Sequence, residues 1–321
     1  MPTALITGGH GGIGYECARQ LATGPRFNLI LAGRHLTRVE PAAQRLRTEY
    51  NVQVTTLQMD TSSLASVRDA AARCRAMIDR GEVDALQAIL CNAGSRIEAL
   101  NYTSDGYEET FATNHLGHFL LIELLIDRLA DNGRVVVTAS GTHDPETMDG
   151  KLVGAVVEPN AIALANDGKD GRKPTSAGKR YSTSKLCNIL HAYELTRRLK
   201  SSGSSIASIA FDPGSTAGTG FLRGMPKLVQ WLATTAFFGW LQRRLGITMG
   251  DLVFSGTSLG KIAADPAFAN GSGKYFQSND ERLIEARSSK MSYDEQRATR
   301  LWNDSKKLVH LLPDEEPAVL R

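Results

Sequence analysis

The stretch that most constrains the fold of this 321-residue chain is its beginning, where a short apolar strand runs straight into a glycine-rich turn and then a helix. Thr3 to Thr7 forms the strand, TGGHGGIG (Thr7 to Gly14) the turn, and ECARQLA the start of the helix. In that order Gly8, Gly12 and Gly14 permit a tight turn that brings backbone N–H groups at a helix N-terminus up to a pyrophosphate. The alternation then repeats. Strands are expected at Asn28 to Gly33, Gln53 to Met59, Leu86 to Cys91, Arg134 to Ser140 and Ser205 to Phe211. Helices are expected near Thr37 to Tyr50, Ser63 to Arg80, Thr110 to Ala130 (ended by Asn132-Gly133) and Tyr181 to Leu199. Strands such as RVVVTAS are apolar almost throughout, as they are when both sheet faces are covered. The expectation is an α/β fold, a doubly wound parallel sheet in a single domain spanning residues 1–321.

Composition excludes several classes. The formal net charge is +3, with Lys and Arg dispersed, which argues against a nucleic-acid stripe or a polybasic membrane arm. Cys17, Cys74, Cys91 and Cys187 show no metal-ligand spacing, so no metal site is expected; they read as reduced, buried thiols of a cytoplasmic protein. No signal peptide is expected before a strand that begins almost at Met1. The longest apolar run, Leu228 to Leu241, is too short to span a bilayer.

Several residues carry candidate chemistry. Tyr181 and Lys185 are spaced i, i+4, so on a helix they share one face. A lysine cation beside a phenol favours phenolate and lowers its pKa, which would let Tyr181 exchange protons with an alcohol or carbonyl. Strand two ends in Gly33-Arg34-His35 with no acid, and the Arg34 fork suits a ribose 2′-phosphate, so NADPH is expected over NADH. Asp60, with Thr61 and Ser62 beside it, is placed to accept from an adenine amino group, to cap the next helix, or to do both. Asn92-Ala93-Gly94 is a small-residue turn at a strand end that admits close approach of a cofactor. Asn114 interrupts an apolar helix, and Ser140 sits at the carboxyl end of its strand, where open α/β sheets place ligands.

Together these positions resemble the short-chain dehydrogenase/reductase family. The matches are TGGHGGIG, NAG (Asn92 to Gly94), Asn114, Ser140, Tyr181-x-x-x-Lys185 and Pro213-Gly214, in the family's order, covering Pro2 to about Gly214. TNHLGHFLL (Thr113 to Leu121) and YSTSKLCNIL (Tyr181 to Leu190) are similar to the retinol-dehydrogenase and light-dependent protochlorophyllide-reductase branch. SGKYF (Ser272 to Phe276) and LWNDSKKLV (Leu301 to Val309) look closest to the protochlorophyllide-reductase side. The resemblance implies a Rossmann fold and an NADP(H)-dependent hydride transfer. It implies Tyr181 as proton donor or acceptor, Lys185 as tuner of that phenol and ribose ligand, Ser140 as donor to the carbonyl oxygen, and Asn114 as holder of a relay water. It also implies cofactor contacts at Gly8, His10, Gly12, Ile13, Gly14, Arg34, Asp60, Thr61, Asn92, Ala93, Gly94, Tyr181, Lys185, Pro213 and Gly214. Protochlorophyllide reductases usually carry Cys after the Pro-Gly and lack the plain NAG turn. This chain has Ser215 and NAG, which argues against light-driven chemistry. A carbonyl reductase or alcohol dehydrogenase is therefore expected. A C=C reductase and a non-catalytic NADP-binding regulator are the rivals; the subunit state is open between monomer and homodimer.

Two segments are peculiar to the chain. Residues 141–180 form a polar insert longer than the family's common spacing, expected as a surface insert near the site mouth, with His143 a solvated loop histidine rather than a substrate contact. Residues 215–250 are expected to form a substrate lid. Met225, Leu228, Trp231, Leu232, Phe237, Phe238, Trp240 and Leu241 make this part apolar all round a helix, which suits a bulky hydrophobic substrate. A core or subunit interface is the alternative, as is peripheral membrane contact through the flanking Lys227, Arg243 and Arg244.

Overall fold

The computed structural model describes every residue except 25, 170, 172, 217–243, 245 and 246. The chain opens as expected: strand β1 (Thr3–Thr7), helix α1 (Gly12–Thr23), β2 (Asn28–Gly33), α2 (Leu36–Tyr50), β3 (Val54–Gln58), α3 (Leu64–Asp79) and β4 (Leu86–Cys91). Every residue of β1 and β2 is buried, so these strands lie inside the sheet with both faces covered. With β5 (Leu129–Thr138), β6 (Ala207–Asp212), β9 (Tyr275–Asn279) and β10 (Arg282–Ala286), the main sheet has eight strands in the order β10-β9-β6-β5-β4-β1-β2-β3. Its strands run parallel except the last, where β10 turns back against β9. The chain winds outward from β1 to β3 and then returns to β4 on the other side of β1, which opens a crevice at the carboxyl ends of β1 and β4. The doubly wound sheet is the one expected.

Two apolar layers close the faces. One joins Leu5, Ile30, Ile89 and Val135 of the sheet to Val67, Phe119, Leu186 and Trp302. The other joins Ile6, Leu31, Leu90 and Val136 to Cys17, Leu21, Leu46, Leu259 and Ile262.

The helix expected over Thr110 to Ala130 is shorter and broken. It consists of α4 (Glu109–Phe111), a π turn (Ala112–Leu116), α5 (Gly117–Leu125) and a 3-10 turn (Ile126–Arg128). Leu129 already belongs to β5 (Leu129–Thr138), where it pairs with Leu86. The register then jumps so that Ala88 faces Arg134, and Asn132 adopts a left-handed φ of 60°. Asn132-Gly133 is therefore an irregularity inside β5, and the apolar period that ran on to Leu129 belongs partly to a strand. The insert 141–180 also differs from a loop over the surface. It forms a 3-10 turn (Gly141–His143), α6 (Met148–Val153) and α7 (Ala161–Ala165), and Ala161, Leu164 and Ala165 enter the main core.

The long helix α8 (Ala177–Ser201) and β6 (Ala207–Asp212) match expectation. Beyond them Ser215–Thr216 (β7) pairs with Met249–Gly250 (β8), before α9 (Leu252–Ala264) and α10 (Glu295–Leu308). The apolar lid residues Met225, Trp231, Phe237, Phe238 and their neighbours lie outside the described residues.

Candidate active site

The crevice is built from backbone first. Gly8 and Gly12 take left-handed φ values of 67° and 55°. A side-chain carbon on Gly14 would lie 2.5 Å from the Gly8 carbonyl oxygen and 2.7 Å from Asn92 Nδ2, so only glycine lets α1 approach the turn. α1 has Gly11 at its N-cap, hence no side-chain cap, and no acid in its first turn, leaving its first N–H groups to an outside acceptor. Thr7 staples this turn to the neighbouring strand end. Its Oγ1 accepts from the backbone N–H groups of Asn92 and Ala93, each at 2.9 Å, while Asn92 Nδ2 donates to the Thr7 carbonyl at 3.0 Å. Those two acceptances leave the Thr7 hydroxyl proton for His118 Nε2 at 2.9 Å. Ile13 is buried beside the turn, and Thr61 is buried in the loop after β3.

At the end of β2 the exposed Arg34 donates from Nε to His35 Nε2 at 3.1 Å. Arg38 lies in the first turn of α2, where no acid is present. His10 packs against Gly33, and burial, Arg38 and His35 together lower its pKa. A helix start ordinarily favours acids; here Arg34 and Arg38 make the corner cationic and fit for a phosphate, with the neutral rings of His10 and His35 beside them. Arg38 was not singled out in the sequence, although the spacing in Arg34-x-x-x-Arg38 offered the signal. Asp60 is not the cap of α3: that role falls to Ser63, which accepts from the Ser66 N–H. Asp60 Oδ1 instead accepts from Ser62 N–H and Oγ at 3.0 and 2.7 Å, closing a local turn.

The remaining side chains converge at the carboxyl ends of β4, β5 and β6. Asn114 lies in the π turn, fully buried. Its Oδ1 accepts from Ser95 N–H at 2.8 Å, and its Nδ2 donates to the Ser95 carbonyl and to Ser184 Oγ, both at 3.0 Å. It thereby clamps the chain just after Gly94, whose backbone lies against both Asn114 Oδ1 and Lys185 Nζ. Lys185 Nζ donates to the Thr138 carbonyl at 3.0 Å and sits 5.7 Å from the centroid of the Tyr181 ring. Ser140 follows β5, and its hydroxyl lies close enough to the Tyr181 phenol to act on its pKa. Ser140 Oγ also accepts from Thr142 Oγ1 at 3.2 Å. Pro213-Gly214 ends β6, with Gly214 N–H on Asp212 Oδ1 at 2.9 Å.

The electrostatics reverse one expectation. In the chain alone the Tyr181 phenol is pushed up to about 12, chiefly by burial and further by Asp212, against the lowering effects of Ser140 and Arg96. Burial outweighs the charges, and Lys185 is turned toward Thr138. Lys185 itself is lowered to about 8 by burial, with Asp212 opposing. At neutral pH the site thus holds a protonated phenol, a hydroxyl close to it and a largely cationic lysine: a proton donor with a second hydrogen-bonding group beside it. Arg96 and Asp212 act on this phenol and were not visible in the sequence as site residues. Asp212 is buried and accepts from Tyr275 OH at 3.0 Å and Gln277 Nε2 at 2.8 Å. His143, expected in solvent, is buried between Ser140 and Ser289.

Among the described residues no cluster of His, Cys, Asp and Glu is arranged to hold a metal, and no helix is long and apolar enough to cross a membrane. All four cysteines are free and buried.

The family model for short chain dehydrogenases matches residues 2–148. The chloroplastic short-chain dehydrogenase TIC 32 A of Brassica napus is 31% identical over 97% of this chain and 89% of its own length. The chain belongs to the short-chain dehydrogenase/reductase family. The chloroplastic protochlorophyllide reductase A of Oryza sativa subsp. japonica is 30% identical over 96% of this chain and 80% of its length, which supports the resemblance to that branch. The short chain dehydrogenase/reductase dpchH of Colletotrichum higginsianum is 34% identical over 72% of this chain, which spans only 59% of that relative's length. In three dimensions the chain superposes on a short chain dehydrogenase of Burkholderia cenocepacia J2315 in complex with NADP, with a TM-score of 0.62, 19% identity and coverage of 86% and 95% of the two chains. At that identity the match speaks for the fold alone. As a short-chain dehydrogenase/reductase the chain is an oxidoreductase by family, and Ser140, Tyr181 and Lys185 stand together at the crevice of its sheet.

Proposed function

We propose that this short-chain dehydrogenase/reductase transfers a hydride between NADP(H) and the carbonyl or alcohol of a hydrophobic substrate, with Tyr181 as general acid and base. The observation that carries the reading is the meeting of three side chains at one crevice: Lys185 Nζ lies 5.7 Å from the Tyr181 ring and against the Gly94 turn, and the Ser140 hydroxyl is close enough to act on the Tyr181 phenol. The residues fit the cofactor: the uncapped start of α1 and the Gly8–Gly14 turn would hold a pyrophosphate, Arg34 and Arg38 a 2′-phosphate, and Lys185 a ribose. When bound, NADP(H) supplies or takes up the hydride.

The chain's own part is proton transfer. In reduction the carbonyl carbon gains hydride and its oxygen gains the Tyr181 proton, leaving an alcohol and a phenolate. Ser140 donates to the same oxygen as charge develops on it, so the barrier falls through a donor already in place. The cation of Lys185 and the guanidinium of Arg96 stabilise the phenolate until it is reprotonated. Oxidation of an alcohol reverses each step. The apolar residues between Met225 and Leu241 support a hydrophobic substrate.

A second reading is favoured by the likeness to protochlorophyllide reductase, which would make the reaction reduction of a C=C bond. Assays of aldehydes, ketones, alcohols and protochlorophyllide, with NADPH and with NADH, in light and in darkness, separate the two. Tyr181→Phe keeps the ring and its packing but removes the proton. Turnover should fall by roughly 10²–10⁴-fold while folding and NADPH binding persist. A variant that reduces carbonyls as fast as the parent would place the acid elsewhere.

A further inference from the structure

His143 is buried from solvent, and both of its ring nitrogens are engaged. Nδ1 lies 2.7 Å from the Ser140 carbonyl oxygen, and Nε2 lies 2.9 Å from the backbone nitrogen of Ser289. A carbonyl only accepts and a peptide N–H only donates, so the ring is neutral, with its proton on Nδ1. Burial, which lowers the pKa of this imidazole, keeps it so. The ring packs against Tyr275, with 5.3 Å between centroids. The Ser140 carbonyl also accepts from the backbone N–H of His143 at 3.1 Å, so both of its lone pairs point into the 141–143 turn. That fixes the Ser140 peptide in its extended conformation (φ −166°, ψ 145°) and leaves the hydroxyl on the side of Tyr181.

We propose that His143 is a positioning residue: its Nδ1–H locks the Ser140 peptide, and its Nε2 ties that peptide to the chain at Ser289, so that the Ser140 hydroxyl is held against the Tyr181 phenol. Its anchor is itself well secured. Ser288 Oγ bonds Tyr193 OH at 2.8 Å, and Ser292 Oγ bonds the Ser289 carbonyl at 2.6 Å. The segment after β10 thereby sets the angle of a side chain in the site, a link between the C-terminal part of the chain and the candidate chemistry. The inference rests on the proposed role of Ser140 as a donor to the reacting oxygen.

Two substitutions separate the two bonds. Asparagine at 143 puts an amide N–H near the Nδ1 position and has nothing that reaches Ser289. Glutamine fills the ring's length and can accept from Ser289, but has no donor at the Nδ1 position. Steady-state reduction of decanal by NADPH, NADPH binding by fluorescence, and crystal structures of both variants are the measurements. His143→Gln should lose roughly 10–100-fold in kcat, as expected for a misplaced catalytic group, with NADPH affinity within about twofold of the parent. Its crystal structure should show the Ser140 hydroxyl turned away from Tyr181. His143→Asn should recover most of the turnover and keep the hydroxyl in place. Equal turnover in the two variants, or a Ser140 unmoved in His143→Gln, would overturn the proposal. If the parent reduces no carbonyl compound, the functional reading fails, while the position of Ser140 in the two crystal structures still decides the positioning claim.

Discussion

Lys185 shows how much a single residue's environment decides. Burial lowers it to about 8, so near neutral pH it keeps most of its charge and above 8 it loses it. The phenol beside it, raised to about 12, does not titrate in that range. A phenolate forming next to a neutral lysine has lost its nearest α8 cation, so proton donation becomes harder. We expect kcat/KM for carbonyl reduction, which reports the free enzyme, to hold a plateau up to about pH 8 and then fall. Lys185→Met should be slow and flat across the same range. A parent profile level to pH 10 would mean that the lysine charge does not support the transfer. That Tyr181, Lys185, Ser140 and Asn114 meet at one crevice was legible because motif and order name them. The sign of the Tyr181 shift was not. From spacing alone a cation near a phenol lowers its pKa, but the desolvation that wins here depends on how many other elements cover the ring. Arg96 and Asp212 escaped for a related reason: each reaches the phenol only after three strand ends have been brought together.

Elements were legible where periodicity and punctuation agreed, and less so where one apolar run served two structures. Leu129 continues the helical pattern of Phe119 and Leu125, yet its partner is Leu86 across the sheet, a pairing no local pattern reveals. The apolar AIALA of α7 sits among polar neighbours and looks locally like part of a surface insert, because its packing partners come from elsewhere in the chain. Contact between α1 and α9 was equally hidden, although Gly256 and Gly260, one turn apart on α9, make it possible. A side-chain carbon at Gly256 would lie 2.3 Å from Glu16 Cβ, 2.8 Å from the Ile13 carbonyl oxygen and 3.0 Å from the Cys17 nitrogen. Two of those atoms are backbone, so α1 can give way only by moving its N-terminal turn, which is the edge of the candidate pyrophosphate site. Gly256→Ala should cost about 1–3 kcal/mol through overpacking and lower the melting temperature by several degrees. An unchanged melt would show slack between the helices.

At the scale of the whole molecule, the winding of the sheet followed from the alternation of strand and helix, whereas the wrapping of the C-terminal part around it did not. Trp302 of α10 packs on Phe119 at 5.1 Å and on His191 at 5.3 Å, and Arg198 lies over its ring while donating to the Leu320 carbonyl at 3.0 Å. Glu123 of α5 is enclosed by this wrapping, only 1% exposed. Its carboxyl is raised from 4.5 to about 8, first by burial and then by Glu316, with Lys306 and Arg198 pulling the other way. The folded chain therefore holds a proton at Glu123 over a range in which the unfolded chain has released it. Stability from this group is complete below about pH 4.5 and is lost progressively as pH rises to about 8, beyond which both states are ionised and the loss is constant. At about 1.4 kcal/mol per pKa unit the effect is on the order of a few kcal/mol. Glu123→Gln cannot ionise and should escape it. In denaturant titrations at pH 5, 6.5, 8 and 9 the variant should gain on the parent up to pH 8 and then run parallel with it. A difference that stays constant from pH 5 upward would mean that Glu123 is already ionised in the fold and that the wrapped segment supplies it with partners.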